Sequence, residues 1–122
     1  MVNAKAKGNR GEREFIQHWC DLTGNEKTYR HKRNSQATAW GGYSNADVTI
    51  PEAPDCHFEI KNTKKALLPK WIEKNNEDCP RGKCPVIAWK KERDGWYWII
   101  KMDDLEKICA QVLEAFGWRI EK

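Results

Sequence analysis

The stretch His57-Phe58-Glu59-Ile60-Lys61 decides the fold of this chain. Its alternation of polar and apolar residues predicts a short β-strand in which Glu59 and Lys61 project from the same face. Upstream, Asp47 opens a second and shorter apolar run. The turn-rich residues 51–55 between the two runs predict that they fold back as a hairpin. That hairpin would bring Asp47 close to Glu59.

Two carboxylates brought together repel each other unless a cation or a proton lies between them. Oxygen ligands suit Mg²⁺, with Mn²⁺ as a substitute, and such an ion activates water and neutralises phosphate charge. The ammonium of Lys61 would stabilise negative charge in the transition state. The pattern therefore predicts metal-dependent phosphodiester cleavage. The same residues also fit a solvated hairpin face that carries ordinary cross-strand ion pairs.

A third carboxylate lies on a predicted helix. Residues 9–22 have helical periodicity, and Glu12 lies on their apolar stripe, which consists of Phe15, Ile16, Trp19 and Leu22. A carboxylate on a buried stripe needs a partner, so we expect Glu12 to join the catalytic site. Alternatively, Glu12 only stabilises the first turn through the helix dipole.

Positive charge is concentrated near the N-terminus. The net charge is +4, and residues 1–33 hold eight lysines or arginines against four acids. Such a cluster can follow the phosphates of a nucleic acid without reading its sequence, although it also fits a merely solvated surface. The candidate DNA contacts of this kind are Lys7, Arg10, Arg30, Lys32 and Arg33, with Lys64 and Lys74 after the strand that contains Glu59. Ser35, which follows the basic cluster, is a further candidate DNA contact.

The rest of the chain predicts the scaffold of a single domain, residues 1–122, with residues 1–7 as a flexible basic tail. Pro69 fits the first turn of a helix that runs to about Asp78. Residues 85–89 and 95–100 read as two core strands joined by a hairpin turn. Asp103 and Glu106 have the form of a capping box for a final helix that ends before Gly117. No segment reads as a signal peptide or a membrane span, so we expect a cytoplasmic protein.

These motifs, taken in order, resemble the PD-(D/E)xK nuclease superfamily and within it the archaeal-type Holliday junction resolvases and their phage-encoded relatives. The resemblance rests on residues 7–15 around Glu12, on a basic strand that ends at Arg33, on Asp47, and on Glu59-Ile60-Lys61. It implies an α/β, restriction-endonuclease-like αβββαβ core, with a mixed central sheet flanked by helices.

The resemblance also implies a mechanism. Glu12, Asp47, Glu59 and the backbone carbonyl of Ile60 would bind Mg²⁺, and Lys61 would assist attack on the scissile phosphate. The products would carry 5′-phosphate and 3′-hydroxyl ends. A resolvase would act as a homodimer, because two strands are cut symmetrically.

The chain departs from the family pattern in three places. Ala46 stands where the superfamily name expects proline, and Lys74 stands where a glutamine is common. The loop 34–45 is longer than usual and offers three candidates for the active serine of such loops, which are Ser35, Thr38 and Ser44. The alternatives to a junction-specific nuclease are a nickase or end-processing nuclease, a restriction-like enzyme that reads bases, and a non-catalytic nucleic-acid-binding protein on the same fold.

Tryptophans and cysteines are assigned to the scaffold. Most of the seven tryptophans lie in apolar patterns and are expected in the core, whereas Trp40 in the long loop is a candidate wedge at a DNA branch point. The five cysteines are irregularly spaced and are expected to be reduced. A zinc site is the weaker alternative and would use Cys56, His57, Cys79 and Cys84.

Overall fold

The computed structural model describes residues 4–26, 32–33 and 46–119. Within these ranges the elements follow one another in this order: α1 (Ala4–Thr23), β1 (Lys32–Arg33), β2 (Val48–Thr49), β3 (Cys56–Lys61), α2 (Leu68–Asp78), β4 (Cys84–Lys91), β5 (Gly95–Ile100), a short 3-10 helix (Met102–Asp104) and α3 (Leu105–Ala115). The predicted αβββαβ core is confirmed, and a fifth strand and a C-terminal helix follow it.

The strands form one mixed sheet in the order β1-β2-β3-β4-β5. Neighbouring strands are antiparallel except for β3 and β4, which are parallel and pair from Cys56 with Cys84 to Lys61 with Trp89. Parallel neighbours need a crossover connection, and α2 supplies it. Helix α2 has proline in its first turn, as predicted, and it buries Trp71 against the sheet.

The main core lies between α1, α3 and one face of the sheet. Phe15 and Trp19 of α1 are buried, and the ring of Phe15 lies 5.2 Å from that of Phe58 on β3. Trp19 stacks on Trp98 of β5 with 5.9 Å between the ring centroids. Ile108 anchors α3 in the same cluster. The tryptophans of these elements therefore serve packing, as predicted, whereas Trp40 lies outside the described residues.

The predicted apolar stripe of α1 is wrong at one residue. Leu22 is 56% exposed, although Phe15, Ile16 and Trp19 are buried. At about 100° per residue, the centre of the buried face runs through Glu12 and Thr23, and Leu22 lies about 90° away from it. In the last turn of α1, the buried face therefore includes Thr23 rather than Leu22.

Two other boundaries also differ from the predictions. Helix α1 begins at Ala4, so residues 4–7 are helical rather than part of a flexible tail. Asp103 does not cap α3, because it lies within the preceding 3-10 helix and the N-cap position is Asp104, which makes no side-chain capping hydrogen bond. Asp103 is therefore not the N-cap residue that the predicted capping box required.

In the part of the chain that the structure describes, no helix has both the length and the apolar character needed to cross a lipid bilayer.

Candidate active site

The two faces of β3 have different neighbours, as the alternation of the sequence predicts. Phe58 points towards α1 and the main core. Lys61 points towards α2, and its ammonium lies 5.5 Å from the ring centroid of Trp71. Because residues two apart share a face of a strand, His57 and Glu59 lie on the α2 side together with Lys61. One side of this strand therefore supplies packing, and the other supplies ionisable groups.

Asp47 is held at the start of β2 by two hydrogen bonds to β3. Its backbone N–H donates to the carbonyl of Phe58 at 2.8 Å, and its carboxylate Oδ2 accepts from the N–H of Ile60 at 2.9 Å. Val48, the first residue of β2, pairs with Phe58. Ile60 lies two residues further along β3 and therefore extends past the end of β2. The side chain of Asp47 thus replaces a missing strand partner. The carbonyl of Ile60 points to the same side of β3 as its N–H, towards Asp47.

The pKa values of Glu59 and Asp47 are both raised in the folded protein. Burial raises the pKa of Glu59, which is only 8% exposed, and the negative charge of Asp47 raises it further. Burial also raises the pKa of Asp47, although the hydrogen bond from Ile60 and the charge of Lys61 oppose this shift. The predicted hairpin therefore brings the two carboxylates into one electrostatic site, and their ionised forms are disfavoured there.

Two lysines offset this negative charge. The Nζ of Lys61 lies 3.6 Å from Glu59 Oε1, and the same ammonium lies over the ring of Trp71. Lys74 projects from α2, and its charge lowers the pKa of both Asp47 and Glu59. Lys74 was predicted as a DNA contact and as the residue at the family's glutamine position, but not as a charge that acts on the carboxylates. Its coupling to both carboxylates places it beside the site itself.

Glu12 lies close to the end of β3 but is not grouped with the other two carboxylates. A Cβ on Gly11 would lie 3.1 Å from the Cβ of Asn62, so this turn of α1 packs tightly against the residue after β3. Glu12 itself is half-buried. Among the described residues, however, no three His, Cys, Asp or Glu side chains are close enough to hold a metal ion. The role of Glu12 as a third ligand therefore stays a prediction.

The chemistry of the remaining donors fits a hard divalent cation. Asp47, Glu59 and the Ile60 carbonyl offer only oxygen atoms, which Mg²⁺ and Mn²⁺ prefer. A cation between the carboxylates would also relieve the repulsion that raises the pKa of Glu59. The alternative zinc site is not formed by the four described residues predicted for it. All five cysteines are free, and burial raises the pKa of the Cys56 thiol to about 12.

The predicted DNA contacts are distributed over several elements. Arg10, Lys64 and Lys74 are exposed. Lys7 lies in the first half of α1, and β1 consists of Lys32 and Arg33. The remaining predicted DNA contacts, Arg30 and Ser35, lie outside the described residues, as do Thr38 and Ser44, the other candidates for the active serine.

The sequence reasoning missed two polar residues buried on the α2 side of the sheet. His57 and Asn75 are each 1% exposed, and within the described ranges their side-chain nitrogen and oxygen atoms have no hydrogen-bond partner. Burial lowers the pKa of His57, which favours its neutral form. The one available signal was that His57 shares a strand face with Glu59, two residues away. Nothing in the sequence indicated that Asn75 would face the sheet rather than solvent.

Comparison with known proteins agrees with this geometry. The model of a family described as "Phage putative PDDEXK endonuclease" matches residues 3–118. A search of curated proteins and a search of solved structures found no match. The family match includes every residue of the site described above, and it confirms the resemblance to the PD-(D/E)xK superfamily but not the closer one to Holliday junction resolvases. Because the match spans nearly the whole chain, the chain belongs to this endonuclease family of the PD-(D/E)xK superfamily.

Proposed function

We propose that the protein is a Mg²⁺-dependent DNA endonuclease that cuts branched DNA, such as Holliday junctions. The observation that carries the catalytic part is the arrangement of Asp47, Glu59 and Lys61 on adjacent strands. The 2.9 Å hydrogen bond from Ile60 fixes Asp47, and Lys61 lies 3.6 Å from Glu59. The family match supports nuclease chemistry with DNA as the substrate.

Each residue of the site has a role that follows from its surroundings. Asp47, Glu59 and the Ile60 carbonyl would hold Mg²⁺, with Glu12 as the predicted further ligand. Bound there, the ion would supply an activated water and neutralise charge on the scissile phosphate. Lys61 would stabilise the negative charge that develops on the phosphate, because its contacts with Glu59 and Trp71 already hold its ammonium beside the carboxylates. Lys74 would add positive charge on the α2 side.

The choice of branched DNA rests on the resemblance to resolvases. Symmetric cleavage of a four-way junction requires two active sites, which a two-fold homodimer supplies. We therefore propose a homodimer, and light scattering coupled to size-exclusion chromatography would measure its mass. A monomer under cleavage conditions would indicate a nickase or an end-processing nuclease instead.

A panel of labelled substrates tests the proposal. It comprises a four-way junction, a flap, single-stranded DNA and linear duplex, each with Mg²⁺, with Mn²⁺ and with chelator. We expect paired symmetric cuts in the junction alone, with loss of cleavage in chelator and in the Asp47→Asn variant. Cleavage spread over all substrates would retain the nuclease and reject junction specificity. Binding without metal-dependent cleavage of any substrate would indicate a non-catalytic module.

A further inference from the structure

A basic recess lies at the end of the sheet where β3 and β4 finish. Its volume is about 260 Å³, and its lining includes Asn62 and Thr63, which directly follow β3. We call it the β3-end groove. Its basic residues are Arg10, Lys64, Lys90 and Arg93, and Glu92 is the acid among its lining residues.

The groove is positively charged even after its ion pairs are counted. Glu14 of α1 lies against two of its bases, since it pairs with Lys90 and lies 3.7 Å from the Nε of Arg10. Four bases thus face two acids, Glu14 and Glu92, which leaves an excess of positive charge. Ion pairs at such exposure are weak, so the lysine and arginine groups remain able to bind an incoming anion.

The backbone at Arg93 is a second and independent sign that this side chain has a function. Asp94 donates its N–H to the carbonyl of Lys91 at 3.1 Å, which closes a turn with Arg93 at its third position. Arg93 has a φ of 63°, and among the described residues no other non-glycine residue has a positive φ. Glycine or asparagine is favoured at such a position, so an arginine there is strained. This turn places Arg93 in the lining of the groove.

We propose that the β3-end groove binds a DNA backbone phosphate next to the scissile one. Asn62, Thr63 and Lys64 follow Lys61 directly, so at about 3.3 Å per residue the backbone that lines the groove begins within roughly 10 Å of the Lys61 backbone. The groove opens on the α1 side of the sheet end, because Lys90 pairs with Glu14 of α1, whereas the Lys61 side chain points to the α2 side. Each nucleotide of a duplex strand advances about 3.4 Å along the axis. A strand that is cleaved at Asp47 and Glu59 and continues past the end of β3 would bring another of its phosphates to the groove. This inference rests on the proposed nuclease function, because it places the DNA by its scissile phosphate.

Arg93→Gly is the variant that tests the groove, because it removes the guanidinium and also relieves the turn. The matched control is Arg81→Gly. Arg81 is an exposed turn residue before β4, whereas Arg93 follows β4, so the length of the strand, about 26 Å, separates them. Binding is measured by fluorescence anisotropy of labelled DNA in chelator over a range of salt concentrations.

We expect Arg93→Gly to weaken DNA binding about tenfold at low salt and to reduce the salt dependence by about one counterion. Its unfolding temperature should rise, which would exclude misfolding as the cause. Arg81→Gly should bind within about twofold of wild type, and Arg93→Lys should retain most of the affinity. Wild-type affinity in Arg93→Gly, or equal losses in Arg93→Gly and Arg81→Gly, would overturn the proposal.

Cleavage of the same DNA in Mg²⁺ distinguishes the groove from the catalytic site. Weak binding by Arg93→Gly, together with a wild-type protein that cuts nothing, would support the groove and reject the nuclease. If the wild-type protein cleaves the DNA, and Arg93→Gly binds and cleaves it as well as the wild type does, the proposal for the groove is rejected and the nuclease is retained. A wild-type protein that binds no DNA would reject both.

Discussion

Substitution of Asp47 by alanine and by asparagine separates its structural role from its chemical role. Its Oδ2 accepts the N–H of Ile60 at 2.9 Å, at a place where β2 offers no backbone partner. Alanine removes the acceptor and leaves that N–H unpaired. Asparagine keeps an oxygen in the same position and removes only the charge. Both variants should lose cleavage, but they should differ in stability.

The size of this difference follows from burial. An unpaired buried backbone donor costs about 1–3 kcal/mol, and because Asp47 and Ile60 are half-buried we expect about 1–2 kcal/mol. Both variants remove the buried charge whose desolvation raises the pKa of Asp47, so this contribution cancels in the comparison. Asp47→Asn should therefore be more stable than Asp47→Ala by about 1–2 kcal/mol. For a chain of this length that is about 4–8 °C in Tm.

Thermal unfolding followed by circular dichroism, in chelator at neutral pH, measures the difference. Asp103, an exposed residue of the 3-10 helix, provides the matched control. Its alanine and asparagine variants should differ by less than about 0.5 kcal/mol. Equal stability of Asp47→Ala and Asp47→Asn, or a more stable alanine variant, would refute the role assigned to the hydrogen bond with Ile60.

Three further predictions concern the neighbours of Asp47. Because the pKa of Glu59 is raised in the folded state, its ionised form destabilises the fold, and urea unfolding in chelator should show the wild-type stability falling as the pH rises above 4.5. Glu59→Gln should reduce this fall, and an unchanged fall would contradict the raised pKa. Lys74 lowers the pKa of Asp47 and Glu59, so Lys74→Met should move the acidic limb of the pH–cleavage profile to higher pH, and an unmoved limb would contradict this coupling. Gly11→Val should lower the stability by about 1–3 kcal/mol in thermal unfolding, because even a Cβ would lie 3.1 Å from Asn62; an unchanged Tm would show that α1 can move away from β3.

The part of the site that the sequence predicted depends on local geometry. The two-residue period of β3 places Glu59 and Lys61 on one face, and the short connection from β2 brings Asp47 to them. These relations hold over a few residues, so the sequence contains the information directly. The family pattern predicted that Lys74 occupies the position where a glutamine is common. Its lowering of the pKa of both carboxylates depends on how α2 crosses the sheet, which the sequence does not show.

The features that the sequence did not predict depend on long-range packing or on helix phase. The β3-end groove combines α1 with the β4–β5 turn, and no local pattern indicates that Arg10 and Arg93 lie in one recess. Leu22 was misassigned because it lies about 90° from the centre of the buried face of α1, and the packing of α1 against the sheet decides where that centre lies. Asp103 was misassigned because a 3-10 turn precedes α3, and the spacing of a capping box does not reveal such a turn.

Cleavage by Glu59→Gln, compared with Glu73→Gln, tests the central claim most directly. Both substitutions remove one carboxylate, but Glu59 is 8% exposed beside Asp47, whereas Glu73 is exposed on α2. With Mg²⁺ and the substrate cut best by wild type, Glu59→Gln should lose at least about 100-fold in rate while remaining folded, and Glu73→Gln should retain wild-type cleavage. Wild-type cleavage by Glu59→Gln would contradict the assignment of the active site to Asp47, Glu59 and Lys61.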